Sequence, residues 1–362
     1  MKMFTFLEQT LTRPHSLKNK SFKGGKLMRR KFYAVFAMLI LLTLTLAACG
    51  GGSSDSGDKG ESSSSGGDKP KFLSLLTGGT SGTYYPLGGE IAKIFTDETG
   101  IQTDVQSSNA SADNIMALSD SQAELAFVQT DVMAAAVEGI QSFEEHGAVD
   151  NVLALGSLYP ETIQIVTLAD SGIESVEDLK GKKVSVGAPG SGTYVNAEQI
   201  LEVHGMTMDD IQAQNLDFGE SAGGLKDGNI DAAFITAGTP TGAVEEISAT
   251  NDINIIPIEQ EKVDALIEKY PYYAADTIAA GTYSGIEADV NTVAVMAMIA
   301  VSKDLSDDVV YDLTKGLYEN VDKITHGKAE FISLESALDG IDTSLLHPGA
   351  EKYYSEKGLL SE

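Results

Sequence analysis

The sequence predicts an α/β protein of two lobes with parallel sheets and a ligand cleft between them. Three observations lead there. From residue 72 onward short apolar runs alternate with helical patterns, the signature of parallel α/β sheets. The stretch from Pro70 to Glu362 is too long for a small single domain. The tetrapeptide Ser-Gly-Thr-Tyr occurs twice, at Ser81–Tyr84 and Ser191–Tyr194, each time after an apolar run and ahead of a helical pattern.

In chain order, the first lobe begins with a strand over Phe72–Leu76, a helix over Tyr84–Thr96 and a strand over Ile101–Gln106. A helix over Ser111–Leu118, with Ser111 as N-cap, leads to a strand over Glu124–Gln129. A helix over Asp131–Gly139 follows a Thr130 cap, and a strand over Val152–Leu158 is ended by Tyr159-Pro160. The second lobe opens with a strand over Thr162–Leu168 and a short helix and strand in SVEDLKGKKVSVG. Helix Tyr194–Val203, strand Ile211–Phe218, helix Glu220–Asp227, strand Ala232–Thr236, a helix near Thr241–Ser248 and strand Ile253–Ile258 continue the alternation. Val293–Val301 is an apolar run that crosses back, and helices near Ser306–Ile324 and His347–Lys357 pack on the first lobe. The boundaries are residues 70–159 plus 292–362 for lobe 1 and 160–291 for lobe 2.

Ahead of the lobes lies a targeting segment. Met28-Arg29-Arg30-Lys31 is a basic start, and Phe32 to Leu46 is an apolar core too short for a comfortable membrane span. Leu46-Ala47-Ala48-Cys49-Gly50 resembles a bacterial lipobox, with Cys49 as the lipidated first residue of the mature chain. Residues 1–48 are then a signal peptide, with translation starting at Met28. Residues 49–69 are a lipidated cysteine and a Gly/Ser tether that cannot bury enough surface to order itself. Localisation follows as extracytoplasmic, anchored to the bacterial membrane by the N-terminal lipid only.

Nine of the 25 basic residues and one of the 53 acidic residues precede Cys49, leaving a net charge of −36 after it. Such a surface repels nucleic acid. Cys49 is the sole cysteine, so disulfides are excluded. Arg13, Arg29 and Arg30 are the only arginines, so the mature chain has none. A carboxylate must be held without a guanidinium fork.

A strand feeding a glycine loop and then a helix presents the free N–H groups of the first helical turn, a favourable place for an anion. Gly79, Thr80, Ser81, Gly82 and Thr83 form the first such loop; Gly190, Ser191, Gly192 and Thr193 form the second. Each is alternatively a plain strand–helix turn, and the repetition with its crowded hydroxyls favours two jaws on one acidic solute. Tyr84 is either core or a hydroxyl in the cleft. Ser107 and Asn109 are helix caps, ligand contacts or both. Gln129 and Asp131 flank a strand end, and a buried Asp131 would suit the amino group of an amino acid. Phe218 covers the ligand's aliphatic part or fills the core. No nucleophile–base pair, metal spacing or Gly-Lys-Ser/Thr phosphate loop is present, so no enzyme, metal or cofactor is expected.

These segments resemble the solute receptors of tripartite ATP-independent periplasmic (TRAP) transporters, of the TAXI subfamily. The resemblance rests on TGGTSGTYYPLGGEIAKIF, SSNASADNIMAL, AELAFVQTD, LYPETIQIVTLADSGIESVEDLKGKKVSVGAPGSGT, LKDGNIDAAFITAGTPT and DTIAAGTYSGIEADVNTVAV, and covers about Lys71 to Leu360. It implies a type II periplasmic-binding-protein fold, monomeric, closing on a small organic acid such as glutamate, glutamine or a dicarboxylate. It implies delivery to an ion-gradient-driven permease. A receptor of an ABC importer on the same fold is the alternative.

Overall fold

The computed structural model describes residues 69–360; the signal peptide, Cys49 and nearly all of the tether lie outside the described residues. In lobe 1, β1 (Phe72–Leu76), β2 (Gln102–Gln106) and β3 (Leu125–Gln129) are parallel, with β1 in the middle. Helix α1 (Tyr84–Thr99) links β1 to β2, α2 (Ser111–Ser119) links β2 to β3, and α3 (Thr130–Glu138) leaves β3. Long β4 (Val152–Leu168) then runs out of lobe 1 and into lobe 2.

Lobe 2 contains β5 (Lys183–Ser185), α4 (Gly192–Val203), β6 (Gln212–Gln214), α5 (Phe218–Lys226), β7 (Ala232–Ala237), α6 (Gly242–Ser248), β8 (Ile253–Ile256), α7 (Gln260–Lys269) and β9 (Ala274–Ile278). Strand β10 (Val290–Ser302) returns antiparallel to β4, and α8 (Asp307–Glu319) and α9 (Pro348–Glu356) finish on lobe 1. The sheet order is β2-β1-β3-β10-β4-β7-β5-β6, with β8 on β4 and β9 on β10. Two curled sheet halves share two crossing strands, the type II periplasmic-binding-protein fold.

The core follows the period-two alternation of strands buried on both faces. In β4 and β7, Ile163, Ile165, Ala232 and Phe234 pack on one face with α4 and α7; Val166, Ala233, Ile235 and Ala237 pack on the other with α5 and α6. Lobe 1 has its own cluster, from Leu73 and Phe95 through Phe127 and Tyr159 to Tyr354.

The structure corrects several boundaries. Val152–Leu158 and Thr162–Leu168 are one strand that passes through Tyr159-Pro160. Proline is tolerated there because β4 has only β10 beside it at Pro160, opposite Met296 and next to a register shift; β7 joins from Thr162. Phe218 does not end a strand. It opens α5, because Asp217 and Glu220 form a capping box, with Glu220 N–H donating to Asp217 Oδ1 at 2.8 Å and Asp217 N–H to Glu220 Oε2 at 3.1 Å. The caps also move by one residue: Ser111 and Thr130 are first helical residues, behind Ala110 and Gln129. Helix α7 and strand β9 had no prediction; α7 buries only Val263 and Leu266, too sparse a stripe to stand out.

Candidate functional site

Each glycine loop is built to place a helix start at the cleft. After β1, Thr77 is tied to β2 through its N–H and hydroxyl, both donating to Gln106 O at 3.0 and 2.7 Å. A turn closed by Gly82 N–H on Gly79 O (3.2 Å) then delivers α1. After β5, Gly187 sits at φ +90°, where a Cβ would meet Ser191 Oγ at 2.5 Å and Thr193 Cβ at 2.7 Å; only glycine fits this turn. Ser191 N–H donates to Ala188 O (3.0 Å), and Ser191 Oγ accepts Tyr194 N–H (3.2 Å) as the N-cap of α4. That leaves Gly192 and Thr193 with first-turn N–H groups that have no intrahelical acceptor.

Between the loops lies a small cleft. Gly78, Gly79, Gly82, Thr83 and Tyr84 line it from the first loop, and Ala188, Ser191, Gly192 and Thr193 from the second. Ser108, Asn109, Ala110 and Ser111 line it ahead of α2, Asp217 and Phe218 at α5, and Thr236 and Ala237 at the end of β7. Gln129 and Glu161 complete the wall. No lysine, arginine or histidine is among these residues.

The lobes are closed on one another. Ala112 and Asp113, in the first turn of α2, donate to Gly190 O across the cleft at 3.0 and 3.2 Å. Ala243, at the start of α6, donates to Ser81 O at 3.1 Å, and Thr83 Oγ1 donates to Gly238 O at 3.2 Å. Behind the cleft, Asn196 Nδ2 donates to Asp131 Oδ2 (2.9 Å) and to Tyr273 OH (2.8 Å), and Tyr273 OH donates to Gln199 Oε1 (2.7 Å). A Cβ on Gly192 would stand 1.7 Å from Gln129 Oε1, and one on Gly82 would stand 3.2 Å from the Phe218 ring. Glycine is what permits the two lobes to meet so closely.

Two buried carboxyls dominate the electrostatics. Glu161, 2% exposed, accepts the Tyr84 hydroxyl on Oε2 at 2.7 Å. Burial, with repulsion from Asp131, pushes its carboxyl up to about 8 against the opposing hydrogen bond from Tyr84. Asp131, 1% exposed, is pushed up to about 7 by burial, and its Oδ1 has no partner. Burial and the negative field of Glu161 raise Tyr84 and Tyr159 as well, so both phenols stay neutral; Tyr84 donates to Glu161, and the buried Tyr159 hydroxyl has no partner. Among the described residues no three His, Cys, Asp or Glu side chains gather as a metal site.

Of the residues singled out from sequence, Gly79, Gly82, Thr83, Tyr84, Asn109, Gln129, Ser191, Gly192, Thr193 and Phe218 lie on the cleft wall. Thr80, Ser81, Ser107, Asp131 and Gly190 do not. Ser81 Oγ is turned to α5 beside Gly219, and Gly190 offers its carbonyl to α2. Ser107 is exposed, and its neighbour Ser108 takes the cleft position, its hydroxyl donating to Thr77 O at 3.0 Å. Asp131 faces Asn196 behind the wall. Glu161 and Asp217 escaped sequence reasoning; the available signal for Glu161 was a lone acid inside the apolar run Leu155–Val166.

Comparison with solved structures finds a protein from Bordetella bronchiseptica RB50 at 18% identity, covering 79% of this chain and 82% of that one, with TM-score 0.51. The periplasmic aliphatic sulphonate binding protein SsuA from Escherichia coli matches at 13% identity over 79% of each chain, TM-score 0.40. The GluR0 ligand-binding core from Nostoc punctiforme, solved with L-glutamate, matches at 14% identity over 69% of this chain and 95% of that one, TM-score 0.41. The sequence profile of the NMT1-like family matches residues 75–358, nearly the whole of both lobes, and the chain belongs to that family.

Proposed function

We propose that the protein is an extracytoplasmic solute-binding receptor that captures a small organic acid between its lobes and hands it to a membrane permease. The observation that carries this reading is the cleft itself. It has free first-turn N–H groups of two helices, hydroxyls from both lobes and no cationic side chain. A carboxylate is satisfied there by backbone dipoles and short hydroxyl donors, each charge-assisted bond contributing roughly 1.5–3 kcal/mol. The ligand class is a dicarboxylate or a glutamate-like amino acid. The permease is of the ion-gradient-driven TRAP type, on the strength of the motif resemblance. The anchor is a lipid on Cys49, and residues 70–159 plus 292–362 close against 160–291.

A thermal-shift panel of succinate, glutarate, 2-oxoglutarate, glutamate, glutamine, a sulfonate and phosphate tests the ligand class. A bound solute stabilises the fold by mass action. Stabilisation by carboxylates and not by the sulfonate or phosphate is expected. Stabilisation by the sulfonate alone refutes the carboxylate reading. Uptake by vesicles carrying the genetically linked permease, driven by an ion gradient without ATP, separates TRAP from ABC delivery.

A further inference from the structure

We infer that Glu161 determines which solute is taken: it meets the solute as a neutral carboxylic acid and donates a hydrogen bond to one of its carboxylates. This rests on the carboxylate reading above. Glu161 stands where β4 crosses between the lobes, so it belongs to the cleft whichever lobe moves. Its Oε2 is taken by the Tyr84 hydroxyl, which leaves Oε1 for a solute.

The charged and titratable groups around it are Tyr84 on α1, Tyr159 on β4 itself, Asp131 on α3 and, across the cleft, Asp217 on α5. None of these is cationic; the turn over residues 327–331, packed against β4, carries the buried Lys328, which lies on Gly238 and off the cleft wall. An ionised Glu161 facing an anionic solute would place two like charges together in a low-dielectric site with no counter-ion on its wall. A protonated Glu161 turns that repulsion into a donor. It also rejects isosteric solutes that lack an acceptor at that position, because the acid O–H would be left unpaired. Capture above the Glu161 titration therefore takes up a proton along with the anion; the proton goes from solvent to Oε1, and no bond within the solute changes.

The test uses acids without an amino group, so that only the protein titrates: succinate, glutarate and 2-oxoglutarate, measured by calorimetry from pH 6 to pH 10. The affinity of whichever binds best is expected to be flat below pH 7 and to fall about tenfold per pH unit above pH 8. At pH 8.5, paired buffers of different ionisation enthalpy should report uptake of about three quarters of a proton per acid bound. Glu161→Gln keeps a neutral donor of the same shape and should retain binding at pH 7 while losing the pH dependence. Affinity that is flat or rising through pH 9, or proton release on binding, overturns the inference. So does a Glu161→Gln protein that melts normally but no longer binds at pH 7, since a neutral donor at that position would then not suffice. Binding of an acid with no pH dependence defeats this inference alone; binding of no acid at any pH defeats the receptor reading with it.

Discussion

Closure should be blocked by one methyl group. In Gly192→Ala the new Cβ would sit 1.7 Å from Gln129 Oε1 and 2.4 Å from its Cδ, against ordinary contacts of 3.4 Å or more. The clash involves the whole amide. Gln129 is buried, so its amide has little open space to turn into. Overpacking of this kind costs about 1–3 kcal/mol. Gly192 belongs to lobe 2 and Gln129 to lobe 1, so the cost falls on the closed state alone. Solute affinity should drop by about 5- to 150-fold, since a bound solute must then supply that energy. Calorimetry gives the affinity, and solution scattering with saturating acid gives the closed fraction. The double variant Gly192→Ala/Gln129→Ala should recover much of the closed population. Unchanged affinity and unchanged scattering in Gly192→Ala would refute the claim that these two surfaces meet during capture.

Three further outcomes are expected. Asp131 and Glu161 have folded values raised from 3.8 to about 7 and from 4.5 to about 8, so the folded chain holds protons the unfolded chain has released. Their contribution is therefore full below about pH 4 and lost as pH rises through 7 and 8; in denaturant titrations at pH 5, 7 and 9, Asp131→Asn should lose less stability than wild type between pH 5 and 7. Asn196→Ala removes the donor to both Asp131 Oδ2 and Tyr273 OH and strands a buried carboxylate oxygen; about 1–3 kcal/mol should be lost, seen as a lower melting temperature. Gly89→Ala lies mid-α1 with no atom within 4 Å of the new Cβ, and should raise stability by about 0.5–1 kcal/mol in the same melts.

The parts of the site legible in sequence are those where backbone geometry demands particular residues. Glycines at 79, 82 and 192, hydroxyls at Thr83 and Ser191, and strand–helix alternation all mark loops at strand ends. Contacts made only when distant segments meet leave no such mark. Gly190 was expected to face a solute, yet its carbonyl accepts from α2, a pairing between residues that share no local pattern. Glu161 was hidden for a different reason: Tyr159-Pro160 reads as a strand stop, and an acid after a stop looks like a solvated loop residue. The strand continues because Pro160 has no second neighbour to bond, and that continuation carries the acid inward.

Strands β4 and β10 cross between the lobes without interruption, and their ladder shifts register between Met296 and Met298 and between Ile299 and Ala300. Opening can bend the pair at these irregular points while the remaining rungs stay intact. The free-energy difference between open and shut is then set by a handful of small terms, such as Gly190 with α2, Ala243 with Ser81 and Asn196 with Asp131. Several of these residues lie off the cleft wall. Descendants of such a protein have a tuning dial separate from their recognition surface: substitutions behind the wall can weaken or strengthen capture for a poorer or richer habitat while the chemistry that chooses the solute is left alone.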